Sequence, residues 1–137
     1  MSYDLYAFDP VLAPANAGEF KSWFEGLQEA DPDTYSVTAE RCSPSLRAFV
    51  RSLQFWFVPL NPPRPMFMET FGVRPVVDCS FRPELVEMSF TWRSSPLAGA
   101  VVPRLASRRS VGLFDPQGGE AYFPSEKDRA LELAFTI

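Results

Sequence analysis

A chain of 137 residues that is 46% apolar can enclose one core but not two, and its net charge of −4 disfavours a surface that tracks phosphates, and so nucleic acid. No stretch approaches the ~18 to 20 uninterrupted apolar residues of a membrane span, and the opening MSYDLYAFD lacks the basic-then-apolar order of an export signal; a single domain in the cytoplasm, away from membranes, is expected. The sequence has no histidine, which removes imidazole-based nucleophile pairs, the usual transition-metal sites and the one side chain that titrates near neutrality unperturbed.

Tyr3 to Asp9 reads as a strand with Tyr3, Leu5 and Ala7 on one side and Tyr6 and Phe8 on the other. Apolar residues on both sides predict an inner strand. The stretch NAGEFKSWFEGLQEA puts Phe20, Trp23, Phe24 and Leu27 at helical spacing, and Asn16 with Glu19 resembles a capping box. A second helix is predicted to open with Ser43 as N-cap and Pro44 at its first position, to carry Leu46, Phe49, Val50, Leu53, Trp56 and Phe57 on one side, and to stop at Pro59. Arg47 and Arg51 flank that stripe and are expected to meet acids of the first helix or solvent.

Five prolines among residues 59 to 75 preclude a regular element there and predict a long stiff loop. Val76 to Phe81 and Leu85 to Trp92 follow as strands joined by Arg82-Pro83-Glu84 in a hairpin, the second alternating Val86, Met88, Phe90 and Trp92 with Glu87, Ser89 and Thr91. That alternation leaves one side wet or turned to a ligand. Ser95-Pro96 begins a third helix with Leu97, Val101 and Leu105 on one face, which Pro103 should kink or split; Arg104, Arg108 and Arg109 at its end suit the helix dipole. Val111 to Phe114 and Ala121 to Phe123 read as short strands around Gln117-Gly118-Gly119, and Leu131, Leu133, Phe135 and Ile137 alternate as a last strand. Segregated elements of this kind predict an α+β fold, one mainly antiparallel sheet with about three helices packed on it.

Charge and chemistry narrow the function. Residues 1 to 40 carry eight acids against one lysine, a net −7; residues 41 to 112 carry ten arginines against four acids, +6; the rest carries five acids and two bases, −3. The acidic region either neutralises the arginine-bearing middle or forms a face offered to a basic partner. Cys42 and Cys79 are expected as free buried thiols, and Lys21 and Lys127, each within two residues of a glutamate, are poor candidates for a desolvated amine nucleophile. Asp9 and Asp115 each close an apolar run before a proline. If their strands ran the same way side by side, the two carboxylates would leave one edge and form a small carboxylate-based or metal-binding enzyme site; otherwise they end two strands.

The segments MSYDLYAFDP, EFKSWF, SPSLRAFVRSLQFWFVPLNPP, EMSFTWRSS, PRLASRRSVGLFDP and EAYFP resemble a group of small bacterial proteins that begin with an "MSYDLY...FDP" strand, some of them similar to immunity proteins encoded beside secreted antibacterial toxins. The resemblance implies a binder without catalysis, cofactor or metal, whose partner is a cognate toxin. On that reading Glu29, Asp31, Asp33, Tyr35 and Glu40 would steer towards a basic toxin, and Met66, Phe67, Met68, Glu69 and Phe71 would supply the buried contact. A module that pairs with itself as a homodimer is the further alternative.

Overall fold

Apolar residues on both sides place β1 (Ser2–Phe8) in the middle of a sheet, and the computed structural model, which describes residues 2–31, 35–36, 38–60 and 75–137, bears this out. The other elements are α1 (Ala17–Glu29), α2 (Pro44–Leu53), β2 (Val58–Pro59), β3 (Val76–Phe81), β4 (Leu85–Thr91), α3 (Ser95–Arg108), β5 (Gly112–Asp115), β6 (Glu120–Pro124) and β7 (Leu131–Thr136). The strands form one sheet in the order β2-β3-β4-β1-β5-β6-β7, antiparallel throughout except for the two-residue β2 beside β3. This is the α+β class expected from the sequence.

Pairing register decides what each face carries. Tyr3, Leu5 and Ala7 lie opposite Phe90, Met88 and Val86, which lie opposite Val77, Cys79 and Phe81. This face packs against α2 and α3 in the larger core, with Phe49, Leu53, Val102 and Ala106 buried in it. On the other face Phe8, Phe114 and Ala121 pack against α1, whose Phe20 ring lies 5.3 Å from Phe8, 5.4 Å from Phe114 and 5.3 Å from Phe135. Asn16 caps α1 as expected, its Oδ1 accepting from the Glu19 amide at 2.9 Å.

Three expectations need correction. The second helix ends at Leu53, and Gln54 to Phe57 continue as tight turns, because the chain must swing Phe57 under the sheet, edge-on to Phe90 at 4.8 Å, and pair Val58 with Val76. Pro59 then sits in an edge strand, where its missing N–H does little harm. Ser43 holds the N-cap position as expected, though without a side-chain cap bond, its hydroxyl being buried and unpartnered among the described residues. Pro103 does not split α3, which runs from Ser95 to Arg108 with the proline inside it. Finally, a bulge opposite Ala121 and Tyr122 breaks the alternation of β7, so that Phe135 joins the α1 core while Leu133 is 54% exposed.

The end of α3 is closed by a Schellman motif: the Val111 amide donates to the Ala106 carbonyl at 3.0 Å and the Ser110 amide to that of Ser107 at 3.3 Å, with Ser110 left-handed at φ 57°. Glycine is required two residues after Ser110. At Gly112 the Phe8 ring crosses the backbone so closely that a Cβ would lie 2.2 Å from Cε2 and Cζ.

Candidate functional site

Helix α1 covers only part of its face. Its core reaches β1, β5, β6, β7 and, through Leu85, the start of β4, whereas further along β3 and β4 the same face carries the polar Asp78, Ser80, Glu87 and Ser89, and Asp4 of β1 joins them through its pairing with Ser89. Asp78 is exposed and the other four are half-buried. The wet side expected of this hairpin is therefore an acidic half-face. Burial, then the Asp4 and Asp78 carboxylates, hold the Glu87 carboxyl above its usual range, with Arg82 acting the other way. Burial and then the Glu87 and Asp4 charges likewise push up the Tyr6 phenol at the margin of α1.

One corner of this half-face is closed by the segment leaving α1. Ser36 exchanges backbone hydrogen bonds with Phe81 at 2.9 and 3.0 Å, and the Tyr35 hydroxyl donates to the Leu27 carbonyl at 3.3 Å. The Tyr35 ring lies 3.8 Å from the guanidinium carbon of Arg82, which is only 6% exposed and whose Nε and Nη2 have no hydrogen-bond partner among the described residues. Tyr35, expected as a contact residue, is half-buried and serves as cover for a buried cation. Glu29, Asp31 and Glu40 are exposed, Glu29 in the last turn of α1, where a carboxylate opposes the helix dipole. Asp33, Met66, Phe67, Met68, Glu69 and Phe71 lie outside the described residues.

Arg47 and Arg51 are exposed, so they meet solvent, the second of the two surroundings expected for them. Because α1 and α2 sit on opposite faces of the sheet, Arg47 cannot meet the acids of α1; its Nη1 donates to the Glu40 carbonyl at 3.3 Å. Arg109 ties α3 to α2, its Nε donating to the Ser52 hydroxyl at 3.0 Å.

A second surface was missed by sequence reasoning. Phe55 (80% exposed) and Trp56 (47%) follow α2, Trp92 (45%) follows β4, and all three lie at the end of the sheet where β3 begins and β4 finishes. Trp56 and Trp92 were expected on buried stripes. Three consecutive aromatics, Phe55 to Phe57, span about 200° of any helix, so at least one had to face outwards; that signal was present in the sequence.

Asp9 and Asp115 do not form a pair. β1 and β5 are neighbours but run antiparallel, and Asp115 lies level with Leu5, four residues or about 13 Å along β1 from Asp9. Asp9 accepts from the Val11 amide at 2.9 Å and Asp115 from the Gln117 amide at 3.0 Å, the local turns that end a strand before proline. Cys42 and Cys79 are buried thiols outside any disulfide, and burial pushes them up to about 11 and about 12. Among the described residues no group of three or more Cys, Asp or Glu side chains is placed to hold a metal ion, and no helix is long and apolar enough to cross a membrane.

Fold and surface together define an α+β protein whose sheet, among the described residues, is covered on one face and covered over half of the other. Comparison with known proteins returns no matching family model, no matching curated protein and no matching solved structure.

Proposed function

We propose that this protein works by contact and not by catalysis, binding a basic partner protein whose active site it occludes; the partner class that best suits the resemblance is a secreted antibacterial toxin, with this chain as its immunity protein. The observation that supports the reading is the acidic half-face, where Asp4, Asp78 and Glu87 repel one another on strands that a helix could have covered. Such repulsion costs stability in the free protein and is relieved when a basic surface docks.

Size sets a further condition. Three strands of six or seven residues offer about 14 by 20 Å, roughly a third of the ~800 Å² that each side of a standard interface buries. The contact therefore extends beyond them, onto the exposed Glu25 and Glu29 of α1 and towards Trp92, Trp56 and Phe55, which supply aromatic anchors at the adjoining end. Co-expression with the toxin encoded beside the gene tests the proposal. Wild-type protein restores growth, and the charge reversals Asp78→Lys and Glu87→Lys together remove protection while the protein stays folded by circular dichroism. Equal killing with and without the wild-type protein, or full protection by the double reversal, overturns it.

A further inference from the structure

On the opposite face of the sheet, between α3 and strands β1, β5 and β6, lies a cavity of about 320 Å³, room for about ten water-sized atoms. Leu5, Leu113 and Leu131 give it apolar walls, while Tyr3, Asp115 and Tyr122 stand around it and Gly99 and Pro103, one turn apart on α3, close it above. Among the described residues none of the side chains lining it is basic. Beside the Tyr3 hydroxyl, which can donate or accept, its polar groups are acceptors: Pro103 has no N–H to give the carbonyl of Gly99, its helical acceptor four residues back, and the Tyr122 hydroxyl already donates to Glu120 Oε2 at 2.6 Å, leaving lone pairs alone.

Charge points the same way. Asp115 and Glu120 are direct cross-strand partners, an arrangement of like charges that destabilises a sheet. Each carboxylate is partly satisfied, Asp115 by the amide and side chain of Gln117 and Glu120 by Tyr122, but all of these donors are neutral. Burial, then the Asp115 charge, raise the Tyr3 phenol, and the Glu120 hydrogen bond, then burial and the two carboxylates, push Tyr122 up to about 12.

We infer that this cavity binds an organic ammonium group carried on an apolar stem, the charge meeting Asp115 and the Tyr3 and Tyr122 rings while the stem fills the space between the leucines. Two sources share that chemistry, a free aryl- or alkylamine and a lysine side chain of a docked polypeptide.

Isothermal titration calorimetry on the full chain decides the matter, with phenethylamine as probe, phenethyl alcohol and phenylacetate as neutral and anionic isosteres, and Nα-acetyl-lysine N-methylamide for the polypeptide source. Phenethylamine binds, the alcohol binds about tenfold more weakly or worse, and phenylacetate gives no heat. Asp115→Asn keeps the oxygen that accepts from the Gln117 amide and lowers amine affinity about tenfold. Gly99→Leu, where a Cβ meets only the Tyr3 hydroxyl at 3.8 Å, fills the hollow and abolishes binding without lowering the melting temperature. A lysine derivative that binds more tightly than phenethylamine, with the same sensitivity to Asp115→Asn, identifies the polypeptide source; one that binds more weakly identifies the free amine. Equal affinity for amine and alcohol, an unaffected Asp115→Asn variant, or no heat with the amine up to about 10 mM overturns the inference. The cavity and the acidic half-face lie on opposite sides of the sheet, so Asp115→Asn leaves toxin protection intact and the two readings fail separately.

Discussion

Replacing Gly112 with alanine tests the tightest contact in the fold. The new Cβ would sit 2.2 Å from two carbons of the Phe8 ring and 2.8 Å from a third, against an ordinary carbon–carbon separation of about 3.5 to 4.0 Å, so the ring must retreat by roughly 1.5 Å. It has nowhere to go: Phe8 is fully buried, with Phe123 at 5.0 Å, Phe20 at 5.3 Å and Trp23 at 6.3 Å between ring centroids. Overpacking of a core costs about 1 to 3 kcal/mol, and a clash with a ring held on several sides belongs at the upper end. With an unfolding entropy of about 2.1 cal/mol/K per residue over 137 residues, about 3 kcal/mol corresponds to a fall of about 10 °C in melting temperature. Thermal denaturation followed by circular dichroism reads this directly, and urea titration should show a lower midpoint with an unchanged slope. In Phe8→Leu/Gly112→Ala the smaller side chain makes room, so the double variant is more stable than the sum of the two single losses predicts. A melting temperature for Gly112→Ala within about 2 °C of wild type, or simple additivity in the double variant, refutes the argument.

Ser110→Gly places the residue that the left-handed end of α3 favours and should raise stability by about 0.5 to 1 kcal/mol, read as a melting temperature some 2 to 3 °C higher; a decrease would show that the serine side chain compensates its backbone strain. Glu87→Gln removes a carboxylate whose folded pKa lies above its unfolded one. Such a group contributes stability that is complete below the unfolded pKa and lost as pH rises through the folded pKa, so the variant melts about 2 °C above wild type at pH 7 and level with it near pH 4, measured by melting across that range; the reverse pH trend would sink the assignment.

What the sequence disclosed follows the range of the interactions involved. Asn16 before an aromatic helical stripe, Arg82-Pro83-Glu84 between two alternating runs and Tyr3 to Phe8 apolar on both sides are signals contained within a few residues, and each element lies where its signal put it. The direction of β1 against β5 depends on a pairing between residues more than 100 positions apart, and no local pattern carries it. The fate of Asp9 and Asp115 was fixed by that direction alone. Helix α2 shows the same limit: its stripe continues in phase to Phe57, but pairing of Val58–Pro59 with Val76–Val77 ends the helix early and turns Trp56 outwards. Alternation in β4 exposed Glu87 and Ser89 as a polar row; Asp4 and Asp78 join that row only through cross-strand register. The cavity was less legible still, since Gly99 and Pro103 read as an interrupted helix until the sheet brings Asp115 beneath them.

The row of β1 that faces α1 reads Asp4, Tyr6, Phe8, and along these three residues the sheet passes from open to covered. Phe8 is enclosed by the aromatic core, Tyr6 meets Phe24 edge-on at 4.8 Å, and Asp4 stands among Ser89 and the other acids. A slip of one residue in this strand would send Asp4 and Tyr6 into the α2–α3 core and Tyr3 and Leu5 to the acidic side, because successive side chains alternate between faces. Register is held at both ends, by the Asp9 amide donating to the Glu84 carbonyl at 3.1 Å and by the Gln117 side chain, whose Nε2 donates to the Asp4 carbonyl at 3.0 Å while its Oε1 accepts from the Asp4 amide at 3.3 Å. Gln117 thus extends the β1–β5 ladder with a side-chain amide and also donates to Asp115 beside the cavity. The same few hydrogen bonds that keep Asp4 on the acidic face therefore keep Asp115 in place on the other, and β1 aligns both surfaces at once.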